Sequence, residues 1–199
     1  MTTMSKTVAV PAPKRASHAF APTAPKPALA PRRSPAAARR PAVVAGGIVD
    51  GEDIMVPGGP AGQTWLRLFR PLGVPGPLPV VIYVHGGDAA FSDADTHRQA
   101  FRMAAAVQAA VVVVDYALSP NARIPVAVEE NYVAATWIAQ HGGEHGLDGT
   151  RIAVGSDSSG VDMANELMLM TDARGGPDLA AHVLWSSRAT AVLRAALAA

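Results

Sequence analysis

Short apolar runs alternate with segments of helical periodicity along most of this chain. Each run is bounded by turn residues, and an uninterrupted apolar run is typical of a strand covered on both faces. These runs occupy residues 80–84, 110–115, 152–155 and 181–185. Two earlier segments, 47–57 and 64–70, are predicted strands around a Pro/Gly turn, and the second alternates as a half-buried strand does.

Three helical segments separate the runs. Apolar residues recur at helical spacing in 96–109, Pro125 opens a second helix that Gly142 and Gly143 end, and a third helix covers 159–173. Strands that alternate with helices indicate βαβ units. The predicted fold class is therefore α/β, with a mostly parallel, doubly wound sheet and helices on both of its faces.

Charge is divided unevenly along the sequence. Residues 1–49 carry eight Lys or Arg and no acid, whereas all sixteen Asp and Glu lie beyond them, so the net charge of +1 hides a basic arm on an acidic body. The arm is rich in Ala and Pro, which predicts disorder over residues 1–44. Its paired arginines lack aromatic neighbours and any nucleic-acid-binding motif, so no nucleic-acid partner is expected.

Cysteine content and hydropathy limit the remaining possibilities. The sequence has no cysteine, and no apolar run is long enough to span a bilayer. These features favour a cytoplasmic protein without disulfides or a membrane span. The alternative is a targeting role for the arm, because basic, acid-poor leaders serve as transit peptides.

Two motifs that follow predicted strands carry the candidate chemistry. Residues 156–160, Ser-Asp-Ser-Ser-Gly, form a turn of small residues between a strand and a helix, which is the layout of a nucleophile elbow. Residues 85–87, His-Gly-Gly, follow the strand 80–84. Glycines at that place allow backbone N–H groups to approach an oxyanion.

Four sequence blocks, in order, resemble the hormone-sensitive-lipase-like (GDXG) family of α/β-hydrolases. They match its His-Gly-Gly-Gly, Asp-Tyr-Arg-Leu-Ala-Pro, Pro-Ala-Ala-x-Glu-Asp and Gly-Asp-Ser-Ala-Gly blocks at residues 79–87, 114–120, 125–130 and 151–160. The resemblance covers the N-terminal half of the family. It implies an α/β-hydrolase sheet truncated after about the sixth strand, in a partial domain 45–187 followed by a helical or disordered tail 188–199.

The same resemblance implies a serine esterase or lipase-like activity on a small ester, with no metal or organic cofactor. Ser158 takes the place of the nucleophile, and His85, Asp157 and Gly160 shape the two motif loops. The backbone N–H groups of the oxyanion hole come from Gly86, Gly87, Asp88 and Ser159.

Several positions depart from the family pattern. Asp88 and Ser156 stand where the family has glycine, Val161 replaces a second glycine after the nucleophile, and Ala117 replaces an arginine. An ionised carboxylate at position 88 would oppose a second negative charge beside it.

A triad of this kind also needs an acid and then a histidine after the nucleophile. His182 is the only histidine beyond Ser158, and it falls in the predicted strand 181–185, so it is interpreted as structural. Candidate acids by residue type alone are Asp162, Asp172 and Asp178. Two functions stay open: an ester hydrolase impaired by the lack of a recognisable triad acid and base, and a non-catalytic truncated remnant that acts at most as a binding or interaction module.

The last predicted strand bears on association. A truncated sheet would leave the run 181–185 at an edge, with unpaired N–H and C=O groups and no proline or inward charge to block pairing. Self-association through this edge is therefore predicted.

Overall fold

The structure is a computed structural model that describes residues 42–44, 47–86, 93–116, 124–157, 160–186 and 189–198. Most of the predicted arm therefore lies outside the described residues, as do Gly87, Asp88, Ser158 and Ser159. Within the described residues, no helix combines the length and hydropathy needed to cross a membrane.

In the part of the chain that the structure describes, seven strands form one sheet in the order β1-β2-β3-β5-β4-β6-β7. β4 to β7 are mutually parallel, and β2 shares their direction, whereas β1 and β3 run the opposite way. The strand bounds are β1 Ala42–Val44, β2 Gly47–Pro57, β3 Gln63–Pro71, β4 Leu78–Val84, β5 Ala110–Val114, β6 Leu147–Ser156 and β7 Leu179–Leu184.

The described ranges contain four α-helices beside the sheet, and a short 3₁₀ turn, Gly142–His145, follows the second of them. Pro125 lies in the first turn of that helix, where its missing N–H removes no intrahelical hydrogen bond. The helix bounds are α1 Asp93–Val107, α2 Ile124–His141, α3 Val161–Arg174 and α4 Thr190–Ala196. The predicted α/β, mostly parallel, doubly wound arrangement is confirmed.

Helices cover both faces of the sheet, as the uninterrupted apolar runs require. Along β4, Val80 and Ile82 pack in a core cluster with α2 and α3, while Val81 and Tyr83 pack in a second cluster with α1 and α4. All four side chains are at most 1% exposed. Burial of every residue in a strand, rather than of alternate ones, is the physical reason for its continuous apolar pattern.

The sequence-based boundary at the amino-terminal end of the sheet differs from the structure. Ala42–Val44 pairs with β2 and adds a seventh strand, so the described part of the predicted arm begins the sheet at residue 42 rather than 45. The tail, predicted to be helical or disordered, contains helix α4; Leu193 in this helix and Leu197 directly after it are buried in the second core cluster.

Candidate active site

The carboxyl ends of β4, β5 and β6 lie at the same edge of the sheet, because these strands are parallel neighbours. His85, Asp115 and Asp157 each directly follow one of these strands. In open α/β sheets this edge is where ligands bind. The sequence motifs therefore meet at the position where the fold places functional sites.

Asp157 joins the two motif loops through its carboxylate. Its Oδ1 accepts a hydrogen bond from the Gly86 N–H at 3.1 Å and another from the Gly160 N–H at 2.8 Å. Its Oδ2 accepts a hydrogen bond from the Tyr83 hydroxyl at 3.4 Å. One side chain thus ties the loop after β4 to the elbow after β6.

Gly160 lies too close to β4 for any other residue. A Cβ atom built there would stand 2.1 Å from the Val84 carbonyl oxygen and 2.9 Å from the Val84 carbonyl carbon. Both atoms belong to the backbone of a buried strand, so neither can move aside. The glycine therefore allows the start of α3 to pack directly on the end of β4.

His85 is fixed by Tyr116, which follows β5. The two rings stack with centroids 4.7 Å apart and planes inclined by 13°, and the Tyr116 hydroxyl donates a hydrogen bond to the His85 carbonyl oxygen. The imidazole Nδ1 donates to the Gly86 carbonyl oxygen at 3.2 Å. Because His85 is 5% exposed and Tyr116 3% exposed, this contact sets the path of the loop from within the protein.

The tyrosines beside Asp157 are kept protonated. Burial, reinforced by the negative charge of Asp157 and by their hydrogen bond, raises the pKa of Tyr83 above its ordinary value. Burial and the charges of Asp157, Tyr83 and Glu130 also raise the pKa of Tyr116. Both hydroxyls therefore act as hydrogen-bond donors. Neither tyrosine was singled out from the sequence; the available signal was their place at the carboxyl ends of buried parallel strands.

Glu130 is a half-buried acid near this edge of the sheet. Its Oε2 is buried without a hydrogen-bond partner, and burial together with the negative charge of Asp115 raises the pKa of Glu130 to about 7. The protonated form of this side chain is therefore favoured more than that of an exposed glutamate. This environment was not foreseen, because nothing in the sequence block 125–130 distinguishes a buried acid from a solvated one.

His182 lies in β7 as predicted, but its side chain joins two polar residues from other elements. Its Nε2 lies 2.8 Å from the Ser156 Oγ, and its Nδ1 lies 3.0 Å from the Asn165 Oδ1. Asp162 and Asp172 lie on α3, and Asp178 lies in the turn before β7. Among the described residues, no group of His, Asp or Glu side chains is arranged to hold a metal ion.

Comparisons with known proteins identify the family of the chain. A family model described as alpha/beta hydrolase fold matches residues 81–197. Esterase LipI of Mycobacterium tuberculosis is 39% identical over 130 residues, which are 64% of this chain and 41% of that protein. Carboxylesterase NlhH of the same species is 36% identical over 121 residues, which are 60% of this chain and 38% of that protein.

Solved structures give the same result. A thermostable esterase from Pseudomonas putida superposes with a TM-score of 0.62 at 34% identity, over 68% of this chain and 43% of that chain. A hyperthermophilic esterase from Pyrobaculum calidifontis superposes with a TM-score of 0.59 at 38% identity, over 67% of this chain and 42% of that chain. The chain thus spans about two fifths of the length of the relatives that it matches.

Proposed function

Because the chain belongs to the α/β-hydrolase fold family, we propose that it is a carboxylic-ester hydrolase that uses Ser158 as its nucleophile. The observation that carries the proposal is the Asp157 carboxylate, which binds the N–H groups of Gly86 and Gly160 at once. The nucleophile attacks the carbonyl carbon while the oxyanion loop binds the oxygen of the same carbonyl group, so the elbow and the loop must be held together. The matched relatives are named as esterases.

In the proposed reaction, the Ser158 Oγ attacks the ester carbonyl carbon and passes its proton to a base. The carbonyl oxygen becomes an oxyanion, and its collapse breaks the bond to the alcohol, which leaves with a proton. A water molecule then hydrolyses the acyl-enzyme. The oxyanion donors are the N–H groups of Gly87, Asp88 and Ser159, since the Gly86 N–H is engaged by Asp157.

Acylation is expected to be slow in this chain. The imidazole of His182 is already bonded to Ser156 and Asn165, so it is not free to take the proton of Ser158. Loss of the base lowers turnover by about a millionfold in subtilisin. An ionised Asp88 would further oppose the oxyanion.

A fluorophosphonate probe tests the proposal, because it reacts with an activated serine without needing a known substrate. We expect slow, substoichiometric labelling, with the adduct mapped to Ser158 by mass spectrometry. Ser158→Ala should abolish the labelling, whereas the control Ser186→Ala, at an exposed position, should leave it unchanged.

Three outcomes would contradict the proposal or part of it. Labelling that survives Ser158→Ala would assign the nucleophile elsewhere. Fast stoichiometric labelling, or rapid hydrolysis of p-nitrophenyl butyrate, would contradict the expected impairment and would require a base close to Ser158. Complete absence of labelling would favour the non-catalytic binding module.

A further inference from the structure

Ser156, His182 and Asn165 form a chain of hydrogen bonds that joins three elements. Ser156 ends β6, His182 lies in β7, and Asn165 lies in α3. The Ser156 Oγ is 2.8 Å from the His182 Nε2, and the His182 Nδ1 is 3.0 Å from the Asn165 Oδ1. Ser156 stands two residues before Ser158, where the elbow motif of the family has glycine.

The polarity of this chain follows from the chemistry of its end groups. With the Asn165 amide oriented as in the structure, its Oδ1 accepts the hydrogen bond, and the His182 Nδ1 is the donor that carries the proton. In a neutral imidazole the Nε2 then has a lone pair, and the Ser156 hydroxyl donates to it. Burial lowers the pKa of His182, which agrees with the uncharged form.

The burial of Ser156 limits what this series of hydrogen bonds can do. Ser156 is 0% exposed, so its Oγ is out of reach of a substrate, although it has the partner of an activated serine. A buried hydroxyl without a hydrogen bond is costly, and the imidazole removes that cost. The Ser156 carbonyl oxygen also accepts a hydrogen bond from the Trp185 N–H at 2.7 Å. The last residue of β6 is thus held by both its side chain and its backbone.

We infer that Ser156, His182 and Asn165 are positioning residues, which clamp the carboxyl end of β6 to β7 and α3 and thereby present the elbow that begins at Asp157. The inference rests on the proposed function for what the elbow does, but not for the existence of the clamp. The Ser156 hydroxyl is then an integral part of the clamp. The glycine of the family motif has no side chain and could not form this hydrogen bond.

The tautomer of His182 is the first test, and it does not depend on activity. In ¹⁵N-labelled protein, NMR should show a protonated Nδ1 and an unprotonated Nε2 on His182. Ser156→Gly, which introduces the residue of the family motif, should shift the Nε2 resonance of His182. A protonated Nε2 in the wild type would overturn the inference. So would an Nε2 chemical shift that is the same in Ser156→Gly as in the wild type.

The second test measures whether the clamp acts on the elbow. Ser156→Gly and His182→Leu should each slow fluorophosphonate labelling of Ser158 by about 3- to 10-fold, which is the range expected for one lost hydrogen bond. His182→Gln keeps an acceptor for the Ser156 hydroxyl and should recover part of the rate. The control His141→Leu changes a half-exposed histidine at the end of α2 and should have no effect. Wild-type labelling rates in Ser156→Gly or His182→Leu would refute the positioning role.

A double-mutant cycle separates failure of this inference from failure of the proposed function. If the wild-type chain does not label at all, the proposed function fails, and the clamp is judged by unfolding alone. Ser156→Ala and His182→Leu should then be coupled by about 3- to 10-fold in the folding equilibrium constant. Additive effects of the two substitutions would overturn the clamp. If a leucine variant does not fold, His182→Gln replaces it in the cycle.

Discussion

The pKa of a side chain at the site depends on its burial and contacts rather than on its residue type, and Glu130 shows this most clearly. Its neighbour Glu129 carries the same side chain, but Glu129 forms a bidentate ion pair with Arg174 at 2.8 and 2.9 Å, which lowers its pKa. Glu130 instead has a buried oxygen without a partner and a pKa raised to about 7. Two adjacent acids therefore affect stability in opposite directions as pH changes.

We predict that Glu130→Gln stabilises the fold at alkaline but not at acidic pH. Because the pKa of Glu130 is raised in the folded state, the folded state binds more protons than the unfolded state between about pH 4.5 and 7. The free energy of unfolding of the wild type therefore falls as the pH rises through that window. At about pH 8 the variant should be more stable by about 1–2 kcal/mol, a figure reduced for the remaining solvent contact of the side chain. Urea denaturation at both pH values measures this.

Glu129→Gln is the matched control for Glu130→Gln. Because the pKa of Glu129 is lowered, its contribution to stability is present at neutral pH and is lost as pH falls through its folded-state pKa. The substitution should therefore destabilise slightly, or have no effect, at alkaline pH. Equal changes in the free energy of unfolding for both variants would contradict the difference in environment between the two carboxyl groups.

At the scale of elements, α4 shows how much a short helix depends on its partner. It has seven residues, too few for a stable isolated helix, and no side-chain cap. Leu193 is fully buried and Leu197 is 3% exposed, and both belong to the core cluster that contains α1. Packing of two leucines at i and i+4, rather than intrinsic propensity, therefore stabilises this helix.

Leu193→Ala should lower the free energy of unfolding by about 2–5 kcal/mol, the usual cost of truncating a buried leucine. The neighbouring Val192 is 56% exposed, so Val192→Ala should change stability by less than about 0.5 kcal/mol. Chemical denaturation with a circular dichroism readout compares the two variants. Similar midpoints for both would show that α4 does not contribute to the core.

The elements that could be predicted from the sequence are those whose pattern directly reflects burial. The runs 80–84, 110–115 and 152–155 correspond to strands that are covered on both faces, and Pro125 and the Gly142-Gly143 pair marked the limits of α2. β1 was missed because Ala42–Val44 lies next to an Ala/Pro-rich segment, and its pairing with β2 is a tertiary contact that local composition does not encode.

The positions of the motifs after β4 and β6 were predictable, whereas the contacts of their described residues were not. The spacing of strand, turn and helix located Asp157 and Gly160 at the elbow. The roles of Tyr116 and Asn165 depend on side chains that meet across 31 and 17 residues of sequence, respectively. His182 was correctly placed in a strand, but its neighbours depend on how β7 aligns with β6, and pattern analysis does not determine that register.

For the whole molecule, the sheet has one edge at β7. In the described part of the chain, β7 pairs only with β6, and it contains no proline, Lys, Arg, Asp or Glu. Leu184, at its end, is 53% exposed. An uncharged edge strand with unpaired backbone groups favours pairing with another strand.

We predict that the chain self-associates through β7 at micromolar concentration. Leu184→Lys should weaken the association, because a charge on an edge strand opposes pairing. Leu169→Lys, at a 70% exposed position on α3, serves as the control and should have little effect. Sedimentation velocity compares the two variants with the wild type. A stable wild-type monomer would contradict the prediction. Equal effects of both variants would show that the chain does not associate through the β7 edge.

The carboxylate of Asp157 also makes the two loops thermodynamically linked. Gly86 and Asp157 are 71 residues apart in sequence, but the Gly86 amide cannot open without releasing an acceptor that Gly160 shares. We expect closure of one loop to favour closure of the other, and linkage makes this coupling free energy the same in both directions. A ligand that binds only at the elbow should therefore slow hydrogen exchange at the Gly86 amide, which gives binding at the site a spectroscopic readout independent of turnover.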